Sequence, residues 1–311
     1  MLLLKGKEQS EWLKENYLEL RTQYFWNERK FVAVLFFGKS NPSQVYVNLK
    51  KKYSQAIWFD FLVFGQWESE WDKYPDFLES QEKDYNNKDE VIELIEMLNN
   101  DERCVWIICQ LPLTEELKPY QKDICNTITP LKDMDWLSDK LQERAFEWKI
   151  EFLPATAQAV ISLWNAYNLW SFEWKNISVI GQSDIVWRPI SRYLQLRGAN
   201  VYTFDIRNTP EEIIAQTKES DVIISCTWAL HLVDDKFINK KKNQIIIDVW
   251  YGFLDWKSTG DVNFEKVENK VYAISPVPWW VWPMTVASLF GNIFTILWQK
   301  DKIENLEKKR I

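Results

Sequence analysis

Glycine is scarce in this chain, with 8 residues among 311, where roughly 7% is usual. Tryptophan, normally among the rarest residues, occurs 19 times. Histidine occurs once, at His231, and the four cysteines (Cys104, Cys109, Cys125, Cys226) form no C-x-x-C pair, so there is little to build a zinc site from and no metal is expected. The cysteines read as free thiols of a reducing compartment. No apolar run approaches a membrane span, and Met1 to Leu4 is far short of a signal peptide's apolar region, so a cytoplasmic protein is expected. A basic excess is also missing. The formal net charge of -7 excludes the counterion-replacing face that nucleic-acid binding needs, and points to small substrates or a protein partner.

What is present, 46% hydrophobic and 27% charged residues, is the composition of a soluble globular chain long enough for two domains. Residues 7–24 read as a helix on Leu13, Tyr17, Leu18 and Leu20, followed by a buried strand over Phe31 to Phe37 that ends at Gly38. A second helix runs from residues 41–43 to about Ile57, with a strand over Phe59 to Phe64. Gln66 to Asn87 is polar and aperiodic, a surface loop or partly ordered insertion. A helix over Asp89 to Leu98 and a strand over Cys104 to Cys109 continue the alternation. The second half restarts it with a strand (Ile177 to Ile180), a turn, a helix (Trp187 to Arg197) and a strand (Asn200 to Phe204). Apolar runs over Asp221 to Ser225 and Gln244 to Val249 follow, then a closing helix over Met284 to Trp298. Such alternation predicts an α/β fold with parallel sheets: one α/β domain over 1–150, a Rossmann-like doubly wound domain over 151–285, and a C-terminal helix and tail over 286–311 that close back on the first domain.

Several segments can carry chemistry. Tyr46 and Lys50 stand four residues apart within Ser43 to Lys52, which puts both on one helical face. Taken alone, that spacing fits a solvated basic helix end better than a site. Gln110-Leu111-Pro112-Leu113 follows a strand, and Lys132-Asp133-Met134-Asp135 comes next. Singly, Gln110 reads equally well as a strand-end cap and Asp135 as a helix N-cap. The second half carries Val179-Ile180-Gly181-Gln182-Ser183, Asp248-Val249, Gly260-Asp261-Val262, and the run from Pro276 through Pro278-Trp279-Trp280-Val281-Trp282 to Thr285.

Taken together and in this order, these segments resemble the bifunctional methylenetetrahydrofolate dehydrogenase/cyclohydrolase family. Its patterns are S-x-x-Y-V-x-x-K-x-K, Q-L-P-L, K-D-V-D, V-I-G-R-S-x-I-V-G-x-P and P-V-P-G-G-V-G-P-M-T, and the resemblance covers nearly the whole chain. It implies oxidation of 5,10-methylenetetrahydrofolate by NAD or NADP, then hydrolysis of the methenyl product to 10-formyltetrahydrofolate. By the same resemblance Lys50 is the catalytic lysine, Tyr46 stacks near the folate, Gln110 bonds near the lysine and Asp135 receives the polar edge of the pterin. Leu111, Pro112, Pro278, Trp279 and Trp280 complete the substrate contacts. Gly181, Gln182, Ser183, Trp187, Asp205, Ile206, Arg207 and Tyr251 line the cofactor. A homodimer is implied as well. The choice between NAD and NADP stays open, because an acid such as Asp205 about 20 residues beyond the glycine turn suits an unphosphorylated ribose, whereas Arg207 suits a 2′-phosphate. Asp205 is equally a cap for the following helix. His231 reads as a surface or packing residue, and Cys109 as core.

The departures from these patterns fall on one residue type. Trp187, Trp279, Trp280 and Trp282 stand where the family has glycine, and so do Trp58, Trp106, Trp136, Trp174, Trp228 and Trp250. Tryptophan cannot replace glycine where the backbone needs positive φ or closely approaches a ligand. We expect that the gene reads UGA as glycine and that the working protein carries glycine there. The competing reading takes every indole literally and gives a dead folate-site relic with a binding or structural role. A dehydrogenase without cyclohydrolase is the nearer alternative.

Overall fold

The computed structural model describes residues 1–38, 41–65, 83–146, 153–181, 183, 186–254, 257–277 and 281–298. The chain divides into two compact units, one of Trp12–Phe152 with the residues from Leu289 onward, the other of Met1–Glu11 with Leu153–Ser288.

In the first unit, strands β2 (Phe31–Leu35), β3 (Asp60–Phe64) and β4 (Cys104–Cys109) form a parallel sheet in the order β3-β2-β4. Every residue of β2 is buried, as expected of a parallel strand covered on both faces, and Phe31, Ala33 and Leu35 enter a core with Leu94, Ile95 and Leu98. Those leucines belong to α3 (Lys88–Asn100), whose apolar residues recur at helical spacing and whose first turn is capped by the Asn87 side chain. Its other end is closed from a distance: Lys132 Nζ donates to the carbonyls of Leu98, Asn99 and Asp101, each at 2.8 Å. Helix α1 (Lys7–Phe25), helix α2 (Asn41–Ala56), and the short α4 (Gln121–Thr127) and α5 (Asp139–Phe146) complete the described helices of this part of the chain. Beyond Leu289 the last helix packs here by its aromatic face, with the Phe290 ring stacked on Tyr53 at 5.1 Å. At Gly291 a Cβ would stand 2.3 Å from Tyr17 Oη, so this helix position holds glycine for lack of room.

The second unit starts with α6 (Ala155–Ala166) and is built on six strands in the order β1-β11-β8-β7-β5-β6, all neighbours parallel. These are β1 (Leu2–Leu3), β5 (Asn176–Gly181), β6 (Asn200–Phe204), β7 (Val222–Cys226), β8 (Ile245–Asp248) and β11 (Ala273–Ile274). Read from β6, the strands after residue 153 follow the 2-1-3-4-5 order of a doubly wound sheet, whose ligands bind where the order reverses, at the carboxyl ends of β5 and β7. Helices α7 (Trp187–Leu196), α8 (Pro210–Glu219) and α9 (Phe264–Val267) and an antiparallel hairpin of β9 (Tyr251–Leu254) and β10 (Lys257–Gly260) complete it, and α10 (Val281–Trp298) begins here. Two features were not expected from the sequence. Strand β1 pairs with β11 through Leu2↔Ala273, so the first residues join this sheet rather than a unit spanning 1–150; two apolar residues are too few to carry a period. The hairpin went unread because its turn region carries no Asn-Gly or Asp-Gly signal. The insertion expected over Gln66 to Asn87 lies outside the described residues up to 82; beyond that Tyr85 is buried against Phe37.

The backbone distinguishes two kinds of tryptophan. Among the described residues, eight other than glycine have positive φ, and five of the eight are tryptophan: Trp26, Trp58, Trp136, Trp174 and Trp228. A bulky L residue is a genuine outlier there. Trp174 sits at the third position of a turn closed by Lys175 N–H to the Phe172 carbonyl (3.0 Å), where φ is 61° and glycine is the ordinary occupant. Its indole is 77% exposed, so packing does not compensate. Trp228 and Trp250 bring their ring centroids to 3.2 Å, closer than the 4.5–7 Å of favourable aromatic pairs. Trp106, inside β4, is buried with its indole N–H unpaired among the described residues. Trp164 is the opposite case. It is buried within α6, its Nε1–H donates to the Trp170 carbonyl at 3.0 Å, and Phe172 packs on its ring at 4.6 Å. That indole belongs where it stands.

Candidate active site

The first unit gathers its polar residues from three segments. Helix α2 presents Tyr46 and Lys50 one turn apart; Tyr46 is half-buried and Lys50 is only 8% exposed. Strand β4 ends at Cys109, and the Gln110 backbone N–H still donates to the Leu35 carbonyl at 2.9 Å, which fixes Gln110 at the sheet's carboxyl edge. The Lys132–Asp135 segment runs alongside, bridged to β4 through Ile107↔Asp133 and the Ile107 N–H to Lys132 carbonyl bond of 2.8 Å. These three supports converge on one atom. Lys50 Nζ donates to Gln110 Oε1 at 3.2 Å and to Asp135 Oδ2 at 3.4 Å. Gln110 Nε2 in turn donates to the Leu111 carbonyl at 3.0 Å, which orients the amide with its oxygen toward the lysine. Pro112, joined to Leu111 by a cis peptide, brings its carbonyl so close to Gly38 that a Cβ there would lie 2.4 Å away. Gly38 is therefore required by close approach between the two loops.

Gln110 bonds a backbone carbonyl at the strand end as well as Lys50, whereas the plain reading of Asp135 as a cap does not hold. Gln110's side chain meets Lys50, and it is Asp133, not Asp135, that caps the next turn, accepting from Leu137 N (3.1 Å) and Ser138 N (2.8 Å). Burial pushes the Asp133 carboxyl up to about 6 against the bonds from Ser138 and Leu137 that favour its charged form. Cys109 is buried in contact with Cys125, and both are core thiols. Lys132 and Asp133, to which sequence reasoning gave no role, are what hold Asp135 in place. Their signal was present in the K-D-x-D spacing.

In the second unit Gly181 ends β5 at the switch point. Gly181 pairs with Cys226 across β5 and β7, has φ 143°, and would place a Cβ 2.5 Å from the Cys226 carbonyl oxygen. Ser183 Oγ accepts from Val186 N at 3.0 Å and its carbonyl accepts from Arg188 N at 3.2 Å, so it anchors the start of α7. A glycine at a strand end shortly before a helix N-terminus suits a pyrophosphate. Trp187, the first residue of α7, is the misfit: its indole Nε1 is buried without a partner among the described residues. Asp205 follows β6, accepts from Arg207 N at 2.9 Å and forks with the Arg207 guanidinium. It does not cap the next helix; Thr209 does, in a capping box with Glu212. Ile206 is exposed, and Tyr251 begins β9 opposite Gly260. Gln182, Pro278, Trp279 and Trp280 lie outside the described residues. His231 Nε2 meets Thr259 Oγ1 at 2.7 Å, a packing role.

Sequence reasoning left Asp248 and Asp261 without roles. Asp248 Oδ1 accepts from Asp261 N (3.1 Å) and Oδ2 from Val262 N (3.0 Å), while Asp261 Oδ2 accepts from Ser225 Oγ (3.0 Å) and Thr227 N (2.6 Å). Together they lace the carboxyl ends of β7 and β8 to the segment after the hairpin. Burial raises both carboxyls, and the like charge of Asp261 raises Asp248 further.

Among the described residues no helix is long and apolar enough to cross a membrane, and no three acidic, histidine or cysteine side chains group as metal ligands. Residues 4–135 match the tetrahydrofolate dehydrogenase/cyclohydrolase catalytic domain, and residues 154–301 match the NAD(P)-binding domain of the same family. The chain is 30% identical to the bifunctional protein FolD of a Sulfurihydrogenibium species, over 96% of this chain and 99% of that one. It is 32% identical to the bifunctional protein FolD of Mycoplasma mycoides, over 98% and 100% respectively. Among solved structures, the bifunctional FolD of Campylobacter jejuni superposes with a TM-score of 0.80 at 29% identity, covering 98% of this chain and 99% of that one. With both halves matched in order and the polar cluster of each half in place, the chain belongs to the tetrahydrofolate dehydrogenase/cyclohydrolase family.

Proposed function

We propose that this protein, carrying glycine at positions 187, 279, 280 and 282, oxidises 5,10-methylenetetrahydrofolate and hydrolyses the methenyl product to 10-formyltetrahydrofolate. The observation that carries the reading is the convergence of Gln110 and Asp135 on Lys50 Nζ. Bound at the Gly181 turn, a nicotinamide dinucleotide supplies the hydride acceptor; Gly181, Ser183 and Asp205 are the residues that would hold it. What the first unit's residues contribute is positioning and proton handling. The Asp135 carboxylate is an acceptor matched to the paired N–H donors of a pterin edge. When the pterin takes those lone pairs, Lys50 exchanges its ion pair for the Gln110 amide alone. With its own proton released to solvent, the neutral amine takes a proton from the water that adds to the methenyl carbon; the ammonium so formed returns it to the ring nitrogen as the carbon–nitrogen bond opens, and the new hydroxyl's proton leaves to solvent as the formyl carbonyl forms. Tyr46, on the same helical face, supplies an aromatic wall for the substrate ring. Leu111 and Pro112 form the loop that orients Gln110.

The tryptophans enter the proposal because Trp187 occupies the phosphate-binding helix start with a buried indole N–H that has no partner among the described residues. Reassignment of UGA to glycine accounts for that residue and for the positive-φ tryptophans together. By analogy with relatives we assign a homodimer working in the cytoplasm.

Codon sequencing at 187, 279, 280 and 282, with mass spectrometry of peptides from the native source, tests the glycine assignment; UGG codons with tryptophan-bearing peptides would leave the dead relic as the reading. Assays of both steps on the glycine form test the activity. Oxidation without hydrolysis would reduce the assignment to a monofunctional dehydrogenase.

A further inference from the structure

Asp205 and Arg207 decide which dinucleotide the second unit takes, and we infer that this protein selects NAD over NADP. The inference rests on the cofactor reading above and deepens it. Strand β6 pairs with β5 up to Ile180↔Phe204, so the next register position sets Asp205 beside Gly181 at the carboxyl edge of the sheet, next to the phosphate turn. The bland role for Asp205 is gone, since Thr209 and Glu212 cap α8 by themselves. Instead Asp205 closes a tight loop: its backbone N–H donates to Asn208 Oδ1 at 3.0 Å, and its Oδ1 accepts from Arg207 N at 2.9 Å and Arg207 Nε at 3.0 Å. The carboxylate is 11% exposed and its guanidinium partner 86% exposed, so the acid is fixed and the base is the movable member.

The chemistry of the two ribose forms separates them at this carboxylate. An ionised carboxylate only accepts hydrogen bonds, and offers about four acceptor positions. A free 2′,3′-diol presents two donors, which replace the exposed guanidinium while the Arg207 backbone bond persists. A 2′-phosphate at neutral pH is itself an acceptor with up to two negative charges. To be held by Arg207 it must draw the guanidinium off Asp205, which leaves two anions facing each other. The Arg207 contacts hold the Asp205 carboxyl below the usual carboxylate range, so drawing the guanidinium away also forfeits the stabilisation it gives that charge. Arg207 in this chain therefore orients Asp205 rather than serving as a phosphate receptor.

The test is direct binding, by isothermal titration calorimetry, of NAD and NADP to the full-length chain with Trp187→Gly, Trp279→Gly, Trp280→Gly and Trp282→Gly. NAD is expected to bind tighter by about tenfold or more. Asp205→Ser, checked for native circular dichroism, is expected to free Arg207 and erase or invert that ratio, chiefly through tighter NADP. Arg207→Ala is expected not to improve NADP binding. NADP binding as tight as NAD in the parent, or an unchanged ratio in Asp205→Ser, overturns the selectivity while leaving the cofactor domain in place. Binding of neither dinucleotide overturns both the cofactor reading and the selectivity built on it.

Discussion

Trp58 and Gly198 occupy the same position of the same helix-ending motif. At the end of α7, Gly198 N donates to the Gln195 carbonyl and Ala199 N to the Leu194 carbonyl, both at 3.1 Å. At the end of α2, Trp58 N donates to the Gln55 carbonyl at 3.1 Å and Phe59 N to the Ser54 carbonyl at 3.0 Å. Both are Schellman caps, in which the residue after the cap turns left-handed; φ is 81° at Gly198 and 62° at Trp58. Only one of the two residues suits that backbone. The left-handed conformation costs an L residue roughly 1–2 kcal/mol, and five tryptophans in it cost roughly 5–10 kcal/mol, comparable to a domain's whole stability. Glycine at Trp26, Trp58, Trp136, Trp174 and Trp228 removes that cost.

Trp58→Gly is therefore expected to stabilise the protein by about 1 kcal/mol, a rise in Tm of roughly 2–4 °C, although it deletes a large apolar side chain. Trp164→Gly should do the reverse by about 3 kcal/mol or more, because that indole is buried, bonded and in a helix. Thermal melts of the two variants decide the matter; equal destabilisation by both would remove the conformational argument.

Lys50→Met should abolish methenyl hydrolysis, by at least about a hundredfold in kcat, with the fold intact. The substitution keeps a buried aliphatic stem and removes the ammonium that Gln110 and Asp135 meet. Tyr46→Phe should be milder, since the ring remains. Wild-type hydrolysis by Lys50→Met would take Lys50 out of the mechanism.

The α/β alternation was legible because buried parallel strands such as Phe31–Leu35 and Ile245–Asp248 are unbroken apolar runs, and the motif order singled out Lys50, Gln110 and Asp135, whose side chains meet in the structure. What stayed hidden was tertiary. Leu2–Leu3 is too short to announce a strand whose partner lies at Ala273, and the carbonyls that Lys132 caps sit more than thirty residues upstream. Asp205 was ambiguous until Thr209 was seen to cap α8.

Gly260→Ala should cost about 2 kcal/mol or more and impair cofactor binding. The added Cβ would lie 1.9 Å from Asp248 Oδ2, the oxygen that accepts from Val262 N. The carboxylate cannot retreat without breaking that bond inside a buried lattice that includes Asp261 and Ser225. Urea unfolding measures the stability loss. A variant as stable as its parent would show that the lattice is pliable.

Asp133 gives the protein a pH dependence with a definite sign. Its carboxyl is raised from 3.8 to about 6 by burial, so the folded state binds its proton more tightly than the unfolded chain does. The stabilisation linked to that proton is complete below about pH 4 and is lost as the pH rises through 6, by roughly 3 kcal/mol at most. Asp133→Asn keeps one acceptor for the Leu137 and Ser138 amides and cannot ionise, so it pays a constant penalty for the other bond. The difference in unfolding free energy between parent and variant should therefore shrink steadily from pH 4 to pH 7. A difference that stays flat over that range would mean that Asp133 is already ionised at pH 4, held there by its two backbone donors against the desolvation that opposes them.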